Sequence, residues 1–95
     1  MAIVDFSIVP VGTKSPSVSE YVRECIKLIK ASGLPYHIGP MGTSVEGDLS
    51  EIFKLIIRVH EEQKKLGVPR ILTTIKIDDR FDKHQTMQDK IDKVK

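Results

Sequence analysis

The segment Met41 to Asp48 (MGTSVEGD) is the most informative stretch for chemistry in this 95-residue chain. Two glycines, Gly42 and Gly47, flank a short run in which Thr43 and Ser44 offer hydroxyls and Glu46 a carboxylate among small neighbours. Glycine permits a positive φ or a close backbone approach. The segment therefore reads either as a plain hairpin with a surface glutamate or as a binding element. In the second reading Glu46 is an anionic acceptor for an amino group or a cationic ring, with Thr43 or Ser44 beside it.

A second stretch, Thr73 to Arg80 (TTIKIDDR), ends an alternating apolar run and turns to charge. Lys76 is expected to meet Asp5 across a sheet, as a structural ion pair at an interface or as a ligand contact. Asp78 and Asp79 are adjacent on an extended chain and point apart, which disfavours a shared divalent ion. His37, His60 and His84 fall on separate elements without HxH or HExxH spacing, and His60 lies on an apolar helical stripe as a core or interface histidine would. Cys25 also lies on an apolar stripe and reads as a buried, inert thiol with no neighbouring base. Residues 12 to 17 (GTKSPS) place hydroxyls and N–H groups ahead of a helix, but without the glycine density of a phosphate loop, so a capping turn is expected there.

The elements that must position these groups follow from periodicity. Residues 2–11 (AIVDFSIVPV) are β-branched or aromatic and alternate, so a strand is expected with Val4, Phe6 and Ile8 on its apolar face. SVSE at 17–20 has capping-box spacing and opens a helix whose stripe is Val18, Tyr21, Val22, Cys25, Leu28 and Ile29, closed by Gly33 and Pro35. Short strands at 36–38 and 43–46 around Gly39, Pro40 and Gly42 suggest a hairpin. DLSE at 48–51 resembles a second capping box, before a helix with Leu49, Ile52, Phe53, Ile56, Val59 and Leu66 on one side, closed by Gly67 and Pro69. Residues 70–77 (RILTTIKI) alternate as a last strand. In the tail from 86 to 95, Met87, Ile91 and Val94 share a stripe too small to hold a lone helix, so it must lean on this subunit or another.

Strand, helix, strand, strand, helix, strand is the split βαβ order. The expected class is α+β, a ferredoxin-like βαββαβ fold in one domain over 1–95. Its four-stranded antiparallel sheet has two helices on one face and a short C-terminal helix. Val4, Phe6, Ile8, Val45, Ile71, Ile75 and Ile77 would form the core. Asp5, Ser7, Thr74 and Lys76 would meet on the other face among Ile3, Val9 and Leu72, a surface better suited to contact than to solvent. A homo-oligomer, dimer or dimer of dimers, with a small polar pocket between sheets is expected.

Composition limits the classes. With 40% hydrophobic and 29% charged residues the profile is that of an ordinary globular chain, and a net charge of +2 is too slight for a polyelectrolyte binder of nucleic acid. No run of apolar residues is long enough to span a bilayer, and residues 1–11 lack the n-region and cleavage site of a signal peptide, so a cytoplasmic location is expected. One cysteine excludes an internal disulfide or a CxxC site.

Taken together, VPVGT (9–13), the S-x-S-x-Y helix start (17–21), Y-x-I-x-x-MGTSVEG (36–47) and TTIKIDDR (73–80) resemble the YkoF-like family of thiamine-binding proteins over essentially the whole chain. The resemblance implies a ferredoxin-like fold assembled into dimers and often tetramers. It also implies binding of thiamine or its hydroxymethylpyrimidine part without catalysis, and no further cofactor or metal. It places the ligand role on Thr43, Ser44 and Glu46, and extends it to Ser7, Thr74 and Lys76. Thiamine carries a cationic thiazolium and an aminopyrimidine, so Glu46, Thr43 and Tyr36 would supply a carboxylate, a hydroxyl and a wall.

Other classes share this topology. An RNA binder would need stacking aromatics on the open strands, where this chain has Asp5, Ser7, Thr74 and Lys76. A hydrolase resembling acylphosphatase would need an asparagine, and the chain has none. A purely structural oligomerisation module would leave the pocket empty.

Overall fold

β1, Ala2–Val11, is the strand around which the sheet is built. The computed structural model describes residues 1–13 and 19–95, and the side chain of Ser19 is left aside. The capping box expected at 17–20 and most of the turn at 12–17 lie outside the described residues.

α1, Ser19–Ala31, carries Glu20 in its first turn and Lys30 in its last, both signs matching the helix dipole. The Ser32 hydroxyl donates to Ile29 O at 2.6 Å, and Gly33 leaves the helix at φ 77°. β2, Tyr36–Ile38, and β3, Thr43–Gly47, form a hairpin in which Gly39 N–H donates to Gly42 O at 2.8 Å. α2, Leu49–Lys65, starts at Asp48, but the expected capping box does not form. The Asp48 side chain makes no cap bond, and the Glu51 carboxylate is taken by Lys54 at 3.1 Å instead. The far end is a Schellman stop, with Gly67 N–H donating to Lys64 O, Val68 N–H to Gln63 O, and Gly67 at φ 84°. β4, Arg70–Asp79, returns along β1. α3, Met87–Val94, opens with a complete capping box between Thr86 and Asp89.

The sheet is antiparallel in the order β2-β3-β1-β4, as the ferredoxin-like α+β fold requires. Ala2, Val4, Phe6 and Val45 on one face pack with Ile29 of α1 and Ile52, Leu55, Ile56 and Val59 of α2. Two expected core residues are corrected: Ile75 and Ile77 are 37% and 43% exposed. β4 is an edge strand, and α2 packs chiefly over β1 and β3, so the helix layer leaves this end of β4 uncovered.

α3 lies on the opposite face. It packs on β3, and Lys90 pairs with Asp78, which shares a sheet row with Ile3 and Glu46. Met87 and Ile91 of its stripe are half-buried. The surface that the stripe needs is therefore this subunit's own sheet.

Candidate functional site

β1 is ten residues long, yet β3 accompanies it only from Ala2 to Phe6, while β4 follows it to Val11. Past Phe6 the β3 side of β1 has no strand neighbour among the described residues. The space is walled by α1 and closed at one end by the β2–β3 loop. The result is a cleft of about 320 Å³. Phe6, Ser7, Ile8 and Val9 supply its β1 wall, Val22, Cys25, Ile26 and Ile29 its helical wall, and Ile38 to Thr43 its end. That volume lies at the small end of the roughly 300–1,000 Å³ usual for ligand sites. A larger depression of about 680 Å³ opens between residues 78–82 and α3, but it is shallow. Four of its charged side chains are already paired, Arg80 with Asp82 and Lys90 with Asp78. The apolar cleft with a few converging polar groups is the better small-molecule site.

Gly42 shapes the cleft end. A Cβ there would come within 3.1 Å of Phe6 O and 3.4 Å of Asp5 Oδ1, so only glycine lets the loop lie this close to β1. The Asp5 carboxylate accepts from Ser44 Oγ at 3.1 Å. Asp5 and Lys76 are register partners, as expected, but among the described residues no ion pair joins them. Among the described residues the carboxylate thus has one hydrogen bond, from a neutral hydroxyl, and it lies close to Gly42 at the cleft's end.

Cys25 looks into the cleft from α1. Burial pushes its thiol up to about 11 from an ordinary 9.0, and its polar neighbour is the Gln63 amide, donating to Sγ at 3.4 Å. Gln63 is 1% exposed and also donates to Tyr21 O at 3.1 Å, tying α2 to α1 behind the cleft wall. A thiol with a raised pKa and an amide for a neighbour is a packing group, not a nucleophile. His60, expected in the core or at an interface, hydrogen-bonds through Nε2 to Thr73 Oγ1 at 2.7 Å and joins α2 to β4. Among the described residues no cluster of His, Cys, Asp and Glu could hold a metal.

Of the residues singled out in the sequence, Thr43 and Ser7 line the cleft. Ser44 lies beside it through its bond to Asp5. Glu46 is apart. It is 8% exposed on the face that α3 covers, its N–H donates to Pro35 O at 3.1 Å, and its Oε2 is buried without a partner among the described residues. Tyr36 is paired with Val45 on β3 and half open to solvent, and Thr74 and Lys76 stand exposed on β4. Asp5, which lies beside the cleft against Gly42, and the α1 lining residues Val22, Cys25 and Ile26 are what the structure adds. An acidic residue in the middle of an apolar strand was the signal for the first. The helical stripe gave Val22 and Cys25, which read as core, whereas Ile26 lies outside that stripe and had no signal.

A family model described as thiamine-binding protein matches residues 4–95. The chain belongs to that family. Its relatives include the UPF0045 protein YqgV of Bacillus subtilis, 44% identical over 99% of this chain and 94% of the relative. Another is the UPF0045 protein ECM15 of Eremothecium gossypii, 45% identical over 97% of this chain and 88% of the relative. Among solved structures, MJ1052 of Methanocaldococcus jannaschii superposes with a TM-score of 0.88 at 36% identity, covering 98% of this chain and 94% of that one. A Thermotoga maritima protein provisionally assigned to thiamine biosynthesis or salvage has a TM-score of 0.85 at 23% identity, covering 99% of this chain and 98% of that one, and shares the fold.

Proposed function

We propose that this thiamine-binding family member holds thiamine, or its hydroxymethylpyrimidine part, in the cleft between α1 and β1 and releases it unchanged, as a sensor or carrier. The observation that carries this reading is that Gly42 and Thr43, from the segment most characteristic of the resemblance, close one end of an apolar-walled cleft. A flat pyrimidine suits a slot walled by Val22, Ile26, Ile38 and Met41, and the Thr43 and Ser7 hydroxyls can meet its nitrogens. The thiazolium would then lie toward Asp5, whose carboxylate Ser44 holds in place. Binding without reaction fits a cleft whose one thiol has its pKa raised and lacks a base.

A second copy is the partner we infer. α3 packs at the end of the sheet that holds Glu46 and Asp78, while Thr74 and Lys76 stand exposed beside Val9 and Leu72, which are 48% and 50% exposed. Ser7 and Val9 border both that surface and the cleft. A sheet laid on it would close the cleft's outer rim.

Calorimetry of the purified protein with thiamine and with the free hydroxymethylpyrimidine tests the proposal. Saturable heat with at least one of them is expected. No heat with either, at concentrations well above those in a cell, would overturn it.

A further inference from the structure

The main chain of β1 presents a donor and an acceptor to the cleft. Which way each residue of a strand turns its N–H and C=O alternates along the chain. Glu46 N–H donates to Pro35 O, on the β2 side, so Val45 and Thr43 turn theirs toward β1. Their register partners Val4 and Phe6 must face back toward β3, and Phe6 O does lie on that side, against Gly42. Two residues on, Ile8 faces the same way, where β3 has already ended at Thr43. Pro10 has the same orientation. A proline is tolerated in this inner strand because its nitrogen points to the side with no partner.

The Ile8 N–H and C=O therefore open into the cleft that Ile8 lines, and no hydrogen bond to either is found among the described residues. Main-chain groups that a ligand in the cleft shuts off from water need a partner in it. We infer that Ile8 N–H and C=O read the ligand as a missing strand residue would, selecting a flat molecule with a hydrogen-bond acceptor beside a donor. In an aminopyrimidine the ring nitrogen accepts from Ile8 N–H and the exocyclic amine donates to Ile8 C=O. This rests on the binding reading above and adds what sets its specificity: a main-chain pair, with the apolar walls excluding ligands that are not flat.

The test is amide-resolved hydrogen exchange by NMR on the unmodified protein, with four probes: thiamine, the free hydroxymethylpyrimidine, bare aminopyrimidine, and methylpyrimidine with methyl in place of the amine. Occupancy is followed in parallel by calorimetry. Amine-bearing probes should slow exchange of the Ile8 amide by about tenfold or more, leaving the Phe6 amide, already bonded to Thr43, unchanged. The methyl analogue should bind about 10- to 100-fold more weakly than its amino counterpart. Ile8→Pro removes the N–H without touching the β4 ladder and should weaken binding similarly. If that variant does not fold, the exchange data on the unmodified chain still decide. Thiamine or the hydroxymethylpyrimidine binding with no change at Ile8 would overturn the inference and leave the binding reading intact. Protection of Ile8 by aminopyrimidine while neither vitamin compound binds would support the inference and overturn the vitamin. Absence of binding by every probe would overturn both.

Discussion

At the scale of single residues, Cys25 reports on the cleft. Its thiol is pushed from 9.0 to about 11, chiefly by burial, so near neutral pH its thiolate is roughly a hundredfold scarcer than in the unfolded chain. Alkylation of the native protein should be slower than that of the denatured protein by about that factor, and thiamine should slow it further because Cys25 lines the cleft. Mass spectrometry of iodoacetamide-treated samples measures both, and a rate indifferent to thiamine would place the ligand elsewhere. The sign for stability follows. The unfolded chain loses the Cys25 proton first, so stability is full below about 9 and declines as pH rises toward 11. The sequence singled out Thr43 and Ser7, which line the cleft, and it gave Glu46 weight because a carboxylate stood alone among small residues. It did not show what would cover Glu46. Strand alternation puts Glu46 on the face away from Thr43, and α3, forty residues later, lies over that face.

At the scale of elements, the site exists because two strands differ in length. β1 outruns β3 by the residues that line the cleft, and Pro10 in the sequence marks where pairing on that side has ended. The strands, both long helices and the hairpin were legible from periodicity and glycine stops. The lateral reach of the helix layer was not, because alternation assigns Ile75 and Ile77 to a face without saying that β4 is its edge. α3 is the element that packing alone holds least well: none of its residues is buried, and its capping box carries its first turn. Thr86→Ala should cost about 1 kcal/mol of local stability, raising hydrogen exchange through residues 87–94 while the core keeps its protection. Exchange unchanged in α3 would mean that the cap is not what holds it. Hydrogen bonding to Thr86, chiefly from its main-chain N–H, keeps the Asp89 carboxyl below its ordinary 3.8. That contribution is present at neutral pH and is lost only as pH falls below the ordinary value.

At the scale of the whole molecule, the sheet face opposite α1 and α2 is divided. α3 covers the end with Ile3 and Glu46, and the end with Val9, Leu72, Thr74 and Lys76 is open. The sequence showed that this face was a poor solvent surface, but not that the chain's own tail would take half of it, since the stripe of Met87, Ile91 and Val94 fits either a subunit's own sheet or a neighbour's. For the open half we expect a second copy. Light scattering should give a multiple of the 10.7 kDa chain mass, and Lys76→Glu should lower it by placing like charges in the contact. An unchanged mass in that variant would move the subunit contact to another surface, such as the unpaired edge of β4. The central claim, that the end of β3 leaves a slot beside β1 shaped for a pyrimidine, is tested most directly by a crystal structure of the protein with thiamine. The account predicts the pyrimidine between α1 and β1, with Thr43 and Ile8 in hydrogen-bond contact and the thiazolium toward Asp5. Thiamine bound beneath α3 at Glu46, or in the depression beside Arg80, with the slot vacant, would contradict it.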